Sequence, residues 1–134
     1  IDNFFFFKDL IKLDKSELIE IGCHTHYHQN LKILSEEELN DEIEKSKFIL
    51  EKILKKEINH FSVPFGTNKS FSKKSLDVLK KFNFKTVVTT EHGNFHRKKL
   101  LRIPRIGIGN MDLGNTLFSK ALGFDSFINN ILHR

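Results

Sequence analysis

Between residues 18 and 108, short apolar or β-branched runs take turns with longer amphipathic stretches, and this alternation limits the possible folds more than any other feature of the chain. Leu18, Ile19 and Ile21 form a strand-like run that ends at Gly22. Ser35-Glu36-Glu37-Glu38 reads as a capping box with acids in the first turn. It opens a helix whose one face carries Leu39, Ile43, Ile49, Leu50, Ile53 and Leu54. Residues 58–63 alternate in character and stop at Pro64-Phe65-Gly66, a strand running into a turn. Ser72 can cap a second helix through about Phe82, with Leu76, Leu79 and Phe82 inward. Residues 84–90 are a β-branched run, residues 100–108 give another strand broken by Pro104, and residues 116–132 read as a terminal helix or two interrupted near Gly123. Strands alternating with helices of this length predict an α/β domain with a largely parallel sheet. Right-handed crossovers then gather the strand ends on one face, where ligand sites of such folds collect. Residues 24–28, 64–66 and 89–94 all fall at those ends.

Composition removes several function classes. A chain of 134 residues with 39% hydrophobic and 29% charged residues reads as one globular domain over residues 1–134, able to bury roughly two thirds of its unfolded surface. A single cysteine, Cys23, excludes an internal disulfide framework and a Cys-rich zinc module. Cys23 is expected to be a small buried apolar residue. The longest unbroken apolar or aromatic run, Phe4 to Phe7, is far short of the ~18–20 residues of a membrane span. It is expected in the core or an interface. No basic segment followed by an apolar stretch and a small-residue cleavage site is visible, and the compartment, cell envelope or cytoplasm, stays open. The formal charge of +5 would suit an acidic partner. Yet Lys45, Lys47, Lys52, Lys55, Lys56, Lys73, Lys74, Lys80 and Lys81 are spaced as on solvated helix faces, so no nucleic-acid partner is expected.

His24-Thr25-His26-Tyr27-His28 places three imidazoles in five residues directly after a strand, a density that suggests metal binding. Which pair would chelate depends on the backbone. In an extended segment His24 and His28 lie about 13 Å apart, and alternate residues would have to share the ion. In a helical turn, residues i and i+4 come to within ~6 Å, and His24 with His28 can reach a zinc ion at ~2.0–2.1 Å. Two histidines leave such a site needing a third protein ligand, commonly a carboxylate, and an open position for water.

Ile21-Gly22-Cys23-His24-Thr25-His26-Tyr27-His28, followed by Leu31 and the helix from Ser35, resembles the second motif of polysaccharide deacetylases, the carbohydrate esterase family 4 or NodB homology domain. In that motif, His-Ser/Thr-x-x-His, both histidines are metal ligands. The resemblance therefore implies a divalent metal, zinc first, on His24 and His28, with Thr25 bracing the loop. Phe61-Ser62-Val63-Pro64-Phe65-Gly66 resembles the third motif, which walls the groove. It implies Pro64, Phe65 and Gly66 as substrate-binding residues, with the Phe65 backbone N–H as the catalytic oxyanion donor. Thr89-Thr90-Glu91-His92-Gly93-Asn94 and Leu101-Arg102-Ile103-Pro104-Arg105-Ile106-Gly107 look like later segments of bacterial members. The likeness spans roughly residues 18–111 and implies an irregular (β/α) barrel. The implied activity is hydrolysis of the amide bond of N-acetylated sugars in a cell-envelope or capsular polysaccharide.

The departures are equally specific. The family's first motif, Thr-Phe-Asp-Asp, which supplies the metal-binding aspartate and the catalytic base, does not occur here; Asp2, Asp9 and Asp14 have the wrong neighbours. The motif arginine falls on Ser62, and the late Leu-x-His donor has no histidine in residues 100–108. A full barrel usually takes roughly 200 residues or more, so the expectation is a C-terminal portion of a deacetylase domain lacking its first strand. Such a chain alone is expected to be inactive or nearly so. The competing expectations are a noncatalytic glycan-binding remnant and a metal-binding or basic interaction domain unrelated to sugars. His92 and His96 are candidates for a donor or third ligand, His60 for a core or edge position on a strand. One of Arg102 and Arg105 is a candidate for the groove.

Overall fold

A computed structural model describes residues 7–91, 93, 96–110 and 112–122. Phe4 to Phe6, Asp2, His92, Asn94 and the terminal stretch from Gly123 lie outside the described residues. Helix α1 (Phe7–Asp14) leads to α2 (Glu36–Leu54), β1 (His60–Ser62), α3 (Lys73–Lys81), β2 (Thr86–Val88) and α4 (Asn115–Ala121).

Local chemistry explains the two main helices. At α2 the Ser35 hydroxyl accepts from the Glu38 N–H at 3.2 Å while the Glu38 carboxylate accepts from the Ser35 N–H at 2.7 Å, the reciprocal cap expected from the sequence. Ser72 and Ser75 do the same for α3. The buried positions of α2 are Leu39, Glu42, Ile43 and Ser46, spaced as one helical stripe. Leu39 and Ile43 meet Val78 and Leu79 of α3 and the inward side chains of the sheet in one core.

In the sheet β1 and β2 run parallel, with Phe61 beside Val87. Single bridges extend it on both sides, Cys23 next to Phe61 and Ile103 next to Val88. Phe61 and Val87 are buried in the core, while their neighbours His60, Ser62, Thr86 and Val88 point to the other face and are half-buried.

Two expected strands are shorter than their apolar runs. Leu18 is 95% exposed, because residues 16–19 are used by turns after α1: Ser16 N–H donates to Leu13 O and Ile19 N–H to Ser16 O. Pairing starts only at Cys23, whose N–H donates to His60 O at 2.8 Å. A Cβ at Gly22 would sit 2.8 Å from that same carbonyl, so the close approach needs glycine. The strand expected over residues 100–108 is reduced to the bridge at Ile103, with a turn closed by Arg102 N–H to Lys99 O before it and Pro104, which has no N–H, after it. Among the described residues no helix is long and apolar enough to cross a membrane.

Candidate active site

The chain leaves the sheet at buried Cys23 and immediately exposes His24. Burial pushes the Cys23 thiol up to about 11, which suits an inert residue behind the site. Thr25 (φ 64°) and His28 (φ 57°) then take left-handed backbone conformations and fold the loop back on itself. The rings of His24 and His28 meet edge-on with centroids 4.8 Å apart. The pair is thus brought together, but by two left-handed residues and not by the helical turn considered from the spacing. His26 packs instead against Tyr27, at 4.3 Å.

The orientation of His24 follows from one hydrogen bond. Its Nδ1 lies 2.7 Å from the Ser62 carbonyl oxygen, which can only accept. Nδ1 therefore carries the proton, and in the neutral ring Nε2 presents its lone pair outward. A backbone carbonyl behind a ligating imidazole is the usual way such a ring is fixed.

The neighbouring turn is built differently. Pro64 is fully buried, Phe65 (φ 61°) is 57% exposed, and Gly66 (φ 70°) is buried with its N–H donating to Pro64 O at 2.7 Å. Of the three, Phe65 presents its side chain to solvent. Its ring stands 4.9 Å from that of His28, at the same end of the sheet. Among the described residues no acceptor engages the Phe65 N–H. Among the described residues five non-glycine residues have positive φ; Lys55 and Asn83 follow helix ends, and the other three are Thr25, His28 and Phe65. Left-handed conformations of L-residues cost roughly 1–2 kcal/mol each, so backbone strain is concentrated where these two loops meet.

Glu42 is a site residue that neither motif spacing nor family resemblance marks. This α2 residue is 5% exposed, and its Oε2 accepts from the His26 N–H at 3.1 Å and the Tyr27 N–H at 2.9 Å. A signal was available: a carboxylate three residues after Leu39, on the stripe completed by Ile43 and Ser46, has to find donors inside the fold.

Other candidates are placed elsewhere. His60 lies half-buried on β1 with Nδ1 2.7 Å from the Thr86 hydroxyl, the strand position expected of it. Arg102 makes a two-pronged ion pair with Glu91, both bonds at 2.6 Å, which raises its pKa further. Arg105 donates from Nε to Thr89 O at 2.8 Å, and His96 is exposed. Asp14 pairs with Lys56. Among the described residues no group of three His, Cys, Asp or Glu is placed to hold a metal.

Comparison with known proteins bears on the family and the fold. The polysaccharide deacetylase family profile matches residues 7–87. The deacetylase PplD of Streptococcus pyogenes, solved in complex with acetate, has a similar fold with a TM-score of 0.77 and 23% identity, covering 87% of this chain and 50% of that one. IcaB from Ammonifex degensii gives 0.73 and 15%, covering 86% and 52%. The deacetylase domain of BpsB from Bordetella bronchiseptica gives 0.66 and 15%, covering 76% and 48%. Likeness at these identities establishes the fold as the (β/α) barrel type expected from the sequence, and the chain spans about half the length of these structures. No curated protein sequence matches the chain at a significant level.

Proposed function

The chain belongs to the polysaccharide deacetylase family, and from that premise we propose that it contributes the histidine pair and the oxyanion turn of a metal-dependent hydrolase. The reaction would remove acetyl groups from N-acetylated sugars of a cell-envelope or capsular polysaccharide. The observation that carries this reading is the meeting of His24 and His28 at 4.8 Å, beside the exposed Phe65 turn.

The residues present suit a zinc-type ion in part. His24 is held through Nδ1 with Nε2 left for ligation, and His28 is close enough to share the same ion. A third ligand and the carboxylate base would come from outside the described residues. When bound, such an ion polarises the acetyl carbonyl and lowers the pKa of a water. The chain's own part is positional: the Phe65 N–H donates to the oxygen on which negative charge develops, and its ring offers a face to a sugar. Buried Pro64 and Gly66 set the turn that aims both.

Acetate release from an N-acetylated chitooligosaccharide tests the proposal, measured for this chain and for the full product of its gene, each with and without His24→Ala. The chain alone should release little or none, and the full product should be active and lose activity in His24→Ala. His24-dependent release by the chain alone would place the base within it. A full product that binds the glycan but releases no acetate would favour the noncatalytic, glycan-binding reading.

A further inference from the structure

We propose that Glu42 is a positioning residue for the histidine pair: its carboxylate, sent from the middle of α2, clamps the two residues that separate Thr25 from His28. The proposal rests on the reading that His24 and His28 share a metal ion. Three observations carry it.

The loop is not held by its own backbone. Among the described residues no main-chain acceptor takes the His26 or Tyr27 N–H, and both donate to the single atom Oε2 of Glu42. Two successive N–H groups converging on one oxygen form a concave anion seat, a geometry that consecutive residues take up only in particular backbone conformations. The flanking residues Thr25 and His28 are both left-handed, so without that seat the loop would favour other shapes.

Among the described residues the Glu42 carboxylate makes no other hydrogen bond or ion pair, and beyond the loop its charge acts only as a minor influence on exposed Lys45. It is 5% exposed on a stripe shared with Leu39, Ile43 and Ser46, where an apolar residue would pack without a desolvation penalty. The hydrogen bonds to the loop are what its carboxylate does there.

Finally, the clamp acts on the half of the site whose ring has no hydrogen-bond anchor among the described residues, His28 being touched by the rings of His24 and Phe65. His24 is already oriented by the Ser62 carbonyl. The rotation that brings His28 to within 4.8 Å of His24 is set by the intervening residues, and Glu42 holds those. Residues that orient a ligand without touching the metal typically change its affinity by about 10- to 100-fold when removed.

The test compares Glu42→Leu, Glu42→Gln and the core variant Ile43→Ala by three readouts. These are amide hydrogen exchange of His26 and Tyr27 in metal-free protein, the dissociation constant for cobalt(II), and the urea midpoint. Glu42→Leu should speed exchange at both amides and weaken cobalt binding by about tenfold or more. Glu42→Gln, which retains an oxygen acceptor, should keep both within about threefold of the parent. Ile43→Ala should lower the urea midpoint while leaving the two amides and the cobalt affinity near the parent values. Unchanged amides and cobalt affinity in Glu42→Leu would overturn the proposal, as would a cobalt affinity that simply follows the urea midpoint across all three variants. Should Glu42→Leu not fold, Glu42→Asp, one methylene too short, is measured in its place with the same criteria. A parent that binds cobalt equally well after His24→Ala would refute the metal reading instead, and the amide exchange would still decide whether Glu42 holds the loop.

Discussion

The histidine loop and the Pro64–Gly66 turn lie side by side at one end of the sheet, yet they are held by different means. The loop is fixed from outside, by the Glu42 carboxylate on its backbone and the Ser62 carbonyl on the His24 ring. The turn is fixed against its neighbour: Thr90 N–H donates to Gly66 O at 2.9 Å, the Thr90 hydroxyl donates to Phe65 O at 2.8 Å, and Gly66 has no room for a side chain. The first arrangement can be loosened by one distant substitution without disturbing the sheet. The second fails at its own glycine. The histidine pair can therefore be displaced while the Phe65 turn stays in place, or the reverse.

The sharpest way to break the turn alone is Gly66→Ala. A Cβ there would sit 2.5 Å from the Thr90 nitrogen, at φ 70°. The expected loss is about 2–4 kcal/mol, read as a lower urea midpoint at constant slope. Glu42→Leu should cost less, about 1–2 kcal/mol, since exposed Tyr27 can give its N–H to water. Equal losses from the two substitutions would erase the distinction between the loops. Thr90→Val removes only the hydroxyl bond to Phe65 O and keeps the main-chain bond to Gly66, so about 1 kcal/mol is expected.

The smallest effect lies away from both loops. The Lys81 ammonium beside Glu36 holds that exposed carboxyl below its ordinary value of 4.5. A carboxyl depressed in the folded state stabilises above its unfolded pKa, and the contribution disappears as the pH falls through the folded value. Lys81→Met should therefore lower stability slightly above about pH 4.5, leave it unchanged at lower pH so that the acid limb of the profile is flatter, and leave metal binding unchanged. A change in metal affinity would show that the helix surface communicates with the site.

What was legible in the sequence is what short-range chemistry decides. The Ser35 and Ser72 caps announce α2 and α3 because each cap is complete within four residues. The apolar run at Leu18 and Ile19 misleads because strand formation depends on a partner, and the turn after α1 takes those residues first. The i, i+4 spacing of His24 and His28 marks the pair, but its geometry comes from left-handed Thr25 and His28, which no propensity forecasts for a β-branched threonine. Glu42 was hidden because its partners are fifteen and sixteen residues earlier, and only the folded loop turns their N–H groups toward it.

Whether His24 and His28, and not His26, receive one divalent ion is decided by following the imidazole nitrogen resonances during a zinc titration. Signals of His24 and His28 should move together with a single dissociation constant, the His24 Nδ1 proton should survive, and His26 and His96 should stay where they are. Separate dissociation constants for His24 and His28, or a His26 signal moving in step with either one, would contradict a shared ion on that pair.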